Sequence, residues 1–268
     1  MATTQIHPTA VVEPGARLGE GVQIGPYTLV GPEVSLGDGC ILHGHVVVGG
    51  RTTIGPRTEI FPFASIGLRP QDLKYKGEPS TLEIGADNVI REHVTINPGT
   101  DGGGMVTRIG DGCLLMVGVH VGHDCRVGNQ VIMANNATLA GHVTVMDFAV
   151  LGGLSAVHQF ARIGRYAMVG GVTGVERDVI PFGSVMGDRA RLSGINIVGM
   201  KRRGLSRDEI HEVRKAYRLL FASEGTFQER LEEVAAEFTA SAPVMEIVEF
   251  IRSDSSRKIC QPDDGNDL

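Results

Sequence analysis

Nine histidines occur in the 268 residues, and four of them, His120, His123, His142 and His158, gather in the middle of the chain. An imidazole with an ordinary pKa of about 6.5 is largely neutral near pH 7 and can take a proton from an alcohol and return it later. Three imidazoles around one point could instead hold zinc. Either chemistry requires the rings to meet, and their spacing fits no helix face. In a chain that returns to the same edge every 18 residues, His123 stacks on position 141 and then on 159. His142 and His158 each lie one residue from that line, at about 4.8 Å per step. For any one histidine a solvated or structural role is as good an explanation. Three on one edge argue for a site.

Such an 18-residue winding is what the rest of the sequence describes. Every sixth residue from Ile6 is aliphatic: Ile6, Val12, Leu18, Ile24, Val30, Leu36, Leu42, Val48, Ile54, Ile60 and Ile66. At 42% hydrophobic composition, eleven successive hits from a given start have a chance probability on the order of 10⁻⁴. The series resumes in phase at Ile84, Ile90 and Ile96, then shifts by one and runs from Ile109 to Val175, ending near Met186. The residue after the aliphatic one is often glycine, as at Gly25, Gly55, Gly85 and Gly110, which suits a sharp corner needing φ > 0. Short strand and turn repeated three times make one triangular winding, with the aliphatic residues stacked inside. A β-sandwich would instead show period-2 alternation with hairpin turns.

The reading divides the chain into a β-helix over residues 1–190 and a helical part over 191–268. Loops extruded near 68–82 and 98–108 account for the pauses in the series. In the second part Ser206 to Glu209 forms a capping box ahead of a helix, Thr226 to Glu229 another, and Pro243 opens a third. The polar tail after Ser253 is expected to fray.

Composition narrows the function. A net charge of −6 argues against a dedicated nucleic-acid or anionic-membrane binder. Cys40, Cys113, Cys125 and Cys260 match neither a disulfide framework nor a metal motif and read as reduced thiols. No apolar run reaches the roughly 18 residues that would span a bilayer, and no targeting signal opens the chain, so a cytoplasmic protein is expected.

Five strings carry a specific resemblance: Gly122-His123-Asp124-Cys125, Ala134 through His142, Ala156-Val157-His158-Gln159-Phe160, Gln71 through Pro79, and Asn196 through Gly204. In order and nearly without gaps from Ile6 to Ile251, the sequence resembles the UDP-N-acetylglucosamine O-acyltransferase family, hexapeptide-repeat enzymes that open lipid A synthesis. The resemblance implies left-handed winding, a homotrimer with clefts between subunits, no cofactor, and two partners, UDP-N-acetylglucosamine and acyl carrier protein. It makes His123 the general base, Asp124 its orienting partner and Gly141 the backbone donor to the oxyanion. Asp72, Lys74, His120, His142, His158 and Gln159 match positions at the sugar nucleotide, Asn196 and Arg202 positions near uracil and phosphate. Gly171 matches the acyl-chain ruler, where a glycine leaves room for a longer hydroxyacyl chain. Lys201 and Arg203, with Arg207, Arg214, Lys215 and Arg218, form a basic surface on an acidic protein, suited to an acidic carrier.

The sequence departs from the familiar pattern at Val198 (Glu elsewhere), at Asn97-Pro98 (His-Arg) and at Gly187-Asp188-Arg189 (Gly-Asn-His). These departures bear on the sugar site, and an acceptor bearing a 3-amino group remains open. The related N-acyltransferase carries an extra N-terminal domain, for which a series starting at Ile6 leaves no room. A zinc-dependent γ-type carbonic anhydrase and a catalytically silent scaffold are the other readings.

Overall fold

The structure, a computed structural model, describes residues 3–253 and 255–263. Each aliphatic residue of the six-residue series is the last member of a short strand, and the strands pair in parallel with the next winding. Ile6 lies beside Ile24, Val12 beside Val30, and Leu18 beside Leu36. Among the described residues three sheets result, of 11, 9 and 8 strands, which form the first, second and third faces of a prism. The chain is a left-handed parallel β-helix followed by helices. Its core is one column: Leu42, Ile54, Ile60, Ile66, Ile90, Ile96, Leu115, Met133, Leu139 and Leu151 are all fully buried. Burying such a side chain stabilises by roughly 1.5–3 kcal/mol. Ile6, in the first winding with no rung beneath it, is 47% exposed.

The corners differ from the expectation in their chemistry. Except at Gly67, with φ 75°, the glycine after an aliphatic residue of the series from Ile6 to Val175 does not take φ > 0. It is there because the next winding passes so close: a Cβ on Gly25 would lie 2.8 Å from Gly44 N, and one on Gly55 2.5 Å from the Gly85 carbonyl carbon. Left-handed backbone falls two residues later, on Tyr27, His45, Phe63, Asp124, His142, Phe148, Phe160 and Tyr166, with φ between 57° and 66°. That conformation costs a non-glycine residue roughly 1–2 kcal/mol. A ladder bond offsets it, as in His45 N–H to Pro26 O at 2.8 Å. Ring stacking adds to this, with Tyr27, His45 and Phe63 spaced 5.1 and 5.2 Å between centroids. The N–H of the residue between these two positions is left out of the ladder, so proline, which has none, sits there at 8, 14, 26, 32, 56 and 62.

Both insertions leave the same edge of the prism, between the second and third faces. Strand Ser65–Ile66 ends on the second face and Thr81–Ile84 resumes on the third; Thr95–Ile96 and Val106–Ile109 bracket the second loop in the same way. The pairing beneath is unbroken, with Ile84 beside Ile54 and Ile109 beside Ile84. The loops are therefore shorter than the pauses suggested. Leu82 and Thr107 belong to four-residue strands and are buried in the column.

After the last winding, strands Gly183–Met186 and Arg191–Ile195 form an antiparallel hairpin, so the sheet runs five residues past the expected boundary at 190. Four helices follow: α1 (Ile197–Arg202), α2 (Arg207–Leu220), α3 (Phe227–Glu237) and α4 (Ala242–Arg252). Both capping boxes are made, on Ser206 with Glu209 and on Thr226 with Glu229, and Pro243 lies in the first turn of α4. The short α1 had no counterpart in the pattern. Over residues 255–263 the tail does not fray, the rest of it lying outside the described residues: Asp178 N–H donates to Lys258 O at 2.9 Å, Leu192 N–H to Gln261 O at 2.9 Å, and Cys260 is buried. Beneath it Asp178, wholly buried, accepts from Arg162 Nε at 2.6 Å and from Ser255 Oγ at 2.7 Å.

Candidate active site

The edge that carries both loops also carries His123, Asp124, Gly141, His142, Gln159 and Phe160, two residues from each of three successive turns. His123, Gly141 and Gln159 occupy the position whose N–H the ladder leaves out. Asp124, His142 and Phe160 occupy the left-handed one. The two sets do different work.

His123 Nδ1 donates to Asp124 Oδ2 at 2.8 Å, and the Asp124 side chain is wholly buried. A proton held on Nδ1 leaves the lone pair of a neutral ring on Nε2, which is the atom a base needs. Nε2 and Cε1 lie over Gly141 so closely that a Cβ there would come within 2.5 Å of each. Glycine is required here for space. Gly141 N–H has no backbone partner among the described residues, because the ladder takes Ala140 N–H (to Val157 O, 3.0 Å) and His142 N–H (to His123 O, 2.9 Å) and passes over it. A base and an unspent backbone donor thus lie side by side.

The His142 ring stands edge-on to His123, with centroids 5.0 Å apart, and stacks on Phe160 at 4.4 Å. Burial pushes its pKa below the ordinary value, against the opposing pull of Asp124. Burial does the same to His120, whose Nδ1 lies 2.7 Å from Thr95 Oγ1 on the second face. In both rings burial favours the neutral form. Positive charge at the site comes from the first loop, where Lys74 and Lys76, with Asp72 and Glu78, join Thr100, Asp101, His142 and Phe160 around a cleft of about 810 Å³. Asp72 shapes this loop by accepting from Lys74 N–H at 2.9 Å. Glu78 joins the two loops through Asp101 N–H at 3.2 Å.

Ligand atoms of His123, Asp124 and His142 lie within 4.8 Å of one another, a spacing that a metal could use. The hydrogen bonds compete with that use. Asp124 Oδ1 accepts Thr100 N–H at 2.9 Å, and Oδ2 accepts both Thr100 Oγ1 at 2.6 Å and His123 Nδ1.

The other expected residues are spread over the molecule. His158 and Gln159 are exposed, and His158 Nδ1 accepts from Arg257 Nη2 of the tail at 2.8 Å. Asn196 caps α1, accepting from Gly199 N–H at 2.9 Å, while its Nδ2 donates to Tyr166 O at 2.9 Å. Tyr166 belongs to the edge between the third and first faces, as do Gln130 and Phe148, which hold Arg203 by a 2.7 Å hydrogen bond and a ring contact at 4.8 Å. Lys201, Arg202, Arg207, Arg214, Lys215 and Arg218 are exposed on α1 and α2. Gly171 lies on the remaining edge, between the first and second faces, beside Leu154 and Val172, which are 62% and 70% exposed. One chain therefore brings together His123, Asp124, Gly141, His142 and the loop residues. It holds Asn196, Arg203 and Gly171 on other edges. Of the departures, Asn97 is buried and ties the bases of the two loops, donating to Leu68 O at 3.1 Å. Arg189 is exposed, 3.7 Å from Glu176, and Val198 is exposed. Thr100, Lys76 and Arg257 were not singled out by the sequence, since no periodicity marks a loop or tail residue.

Comparison with known proteins agrees with this architecture. A family described as Udp N-acetylglucosamine O-acyltransferase, domain 2, matches residues 178–260, and bacterial transferase hexapeptide repeats match 15–50 and 107–141. The acyl-acyl-carrier-protein–UDP-N-acetylglucosamine O-acyltransferase of Methylobacterium radiotolerans is 61% identical over 75% of this chain and 74% of its own. That of Paracoccus denitrificans is 55% identical over 75% and 76%. Among solved structures, the UDP-N-acetylglucosamine O-acyltransferase of Moraxella catarrhalis superposes with a TM-score of 0.91 at 42% identity, covering 95% of this chain and 98% of its own. The enzyme of Campylobacter jejuni gives 0.91 at 38% identity, covering 97% and 100%. By sequence and by fold, the chain belongs to the UDP-N-acetylglucosamine O-acyltransferase family.

Proposed function

We propose that this protein transfers a 3-hydroxyacyl chain from acyl carrier protein to the 3-hydroxyl of UDP-N-acetylglucosamine, the first step of lipid A synthesis, with His123 as general base. The observation that carries the reading is the pairing of His123 Nδ1 with buried Asp124, which leaves Nε2 free above Gly141. Nε2 takes the proton of the 3-hydroxyl as its oxygen attacks the thioester carbonyl. The tetrahedral oxyanion faces Gly141 N–H, a fixed donor that gains strength as charge develops. Collapse breaks the C–S bond, and the imidazolium returns its proton to the departing thiolate. The hydroxyl has become an ester, with no cofactor consumed. Lys74 and Lys76 supply positive charge for the diphosphate of the sugar nucleotide, and Asp72 keeps their loop in shape.

The three separate edges support a homotrimer. His123, Asn196 and Gly171 lie on different corners of one prism, so base, nucleotide contact and acyl ruler meet in one cleft only if neighbouring copies supply them. Arg202, with Asn196, then serves the nucleotide across the subunit boundary, while His158 and Gln159 serve it from the base's own edge. Exposed Arg207, Arg214, Lys215 and Arg218 on α2, with Lys201 and Arg203 near α1, offer the acidic carrier protein a basic landing surface. A cytoplasmic setting fits four free, buried cysteines, the thiol of Cys125 pushed up to about 12 by burial. No helix among the described residues is long and apolar enough to cross a membrane.

The test is an assay of the purified protein with UDP-N-acetylglucosamine and a set of 3-hydroxyacyl carrier proteins, with and without chelator, the 3-amino sugar run alongside. Transfer that survives chelation and is lost in His123→Ala is expected. Chelator-sensitive CO₂ hydration without transfer would overturn the reading.

A further inference from the structure

We infer that Thr100, on the second loop, is a positioning residue for this reaction and sets the orientation of the Asp124 carboxylate that holds the base. The inference rests on the reading of His123 as general base. Asp124 lies in a wholly buried setting where its carboxylate could turn toward either of two imidazoles: His123 Nδ1 at 2.8 Å or His142 Nδ1 at 3.9 Å, both measured to Oδ2. Thr100 removes that choice. Its N–H donates to Oδ1 at 2.9 Å and its hydroxyl to Oδ2 at 2.6 Å, a two-point clamp that fixes the carboxylate plane.

Neighbouring contacts make the clamp specific. Gly103, in the same loop, approaches so closely that a Cβ on it would lie 1.9 Å from the Asp124 carboxyl carbon, so the loop backbone presses directly on that group. Asp124 N–H is spent on Thr107 Oγ1 at 2.8 Å, which anchors the backbone while Thr100 orients the side chain. A hydrogen bond to a charged, buried acceptor is stronger than a neutral one and costly to remove. With Oδ2 free to turn, the proton on Nδ1 of His123 loses its fixed partner, and with it the preference for a lone pair on Nε2.

The loop that carries Thr100 lines the sugar cleft together with the first loop, which it meets through Asp101 N–H and Glu78. Both donors of Thr100 are spent on Asp124 and neither is offered to the cleft, so loss of the hydroxyl acts through Asp124 and lowers the rate of the chemical step more than it weakens sugar-nucleotide binding.

The experiment compares Thr100→Val and Thr100→Ser in the full-length protein, each also made with Asp124→Ala. Thr100→Val is expected to lower kcat about 10-fold or more with the KM for UDP-N-acetylglucosamine within about 2-fold, a loss in the range of a misplaced orienting group. Thr100→Ser, which keeps both donors, restores most of the rate and controls for folding. In the Asp124→Ala background Thr100→Val costs less than about 2-fold, because the carboxylate through which it acts is gone. An unchanged kcat in Thr100→Val, a loss confined to KM, or an equal loss in both backgrounds would overturn the inference while His123→Ala remains inactive. Turnover surviving in His123→Ala would overturn the general-base reading itself, and this role with it.

Discussion

Two edges of the prism solve the same backbone problem in opposite ways. Between the third and first faces, the N–H that the ladder passes over is taken, in four windings, by a side chain from the next winding. Glu20 N–H donates to Asp38 Oδ1 at 2.8 Å, Ala86 to Asp111 at 2.7 Å, Asp111 to Asn129 at 2.9 Å and Asn129 to Asp147 at 2.7 Å. That edge is closed by its own carboxylates and carboxamides. Between the second and third faces the same position holds His123, Gly141 and Gln159, and no backbone acceptor takes their N–H groups among the described residues. The ladder does not need this position, so one edge uses it for stability and the other leaves it for chemistry.

Substitutions on each edge break or sharpen the contrast. The largest effect is expected for His123→Ala, a fall in kcat of roughly 10²–10⁴-fold with the melting temperature little changed, measured by steady-state transfer and thermal unfolding. Gly141→Ala pushes a methyl into the space of Nε2 and is expected to lower kcat about 100-fold, KM changing less. A variant of wild-type speed would show that the ring moves aside freely and that its close seat on Gly141 is not needed for turnover. On the remaining edge, Gly171→Met adds a side chain where a Cβ would make ordinary contact with the Gly153 backbone, its O at 3.4 Å and its N at 4.0 Å. Preference among acyl donors should then move toward shorter chains by about 10-fold or more; unchanged preference refutes the ruler. Smallest is Asp147→Ala on the closed edge, which strips the cap from Asn129 N–H and should cost about 1 kcal/mol in denaturant unfolding with turnover kept within about 2-fold. Turnover falling with stability there would erase the distinction between the edges.

The winding was legible because the column admits only aliphatic residues at one position in six, so the pattern is written into every rung. The corners were less so. Left-handed backbone at Tyr27, His142 and Phe160 carries no glycine signature, since ladder bonds and ring stacking hold it. Leu82 and Thr107 were hidden because a four-residue strand adds a period of two on top of a period of six. For the site, the alignment of His123 and His142 on one edge followed from the 18-residue period. The roles of Asp124 and Gly141 came from resemblance. Thr100 could not be foreseen: it meets Asp124 across 24 positions of sequence, through a loop whose path no local pattern sets. The tail misled through its polar composition, which hides that Arg257, Ile259 and Cys260 find partners on the last windings.

That tail has a consequence for association in solution. A stack of parallel strands ends in a row of open N–H and C=O groups, onto which another molecule's strands could be laid, and then another, as in a growing fibril. Here the hairpin and the returning segment occupy those groups at the last winding, with Lys258 O and Gln261 O already bonded and Arg162 locking Asp178 beneath. Polymer growth from this end meets a last winding whose Gly174, Asp178 and Leu192 backbone groups are already paired within the chain.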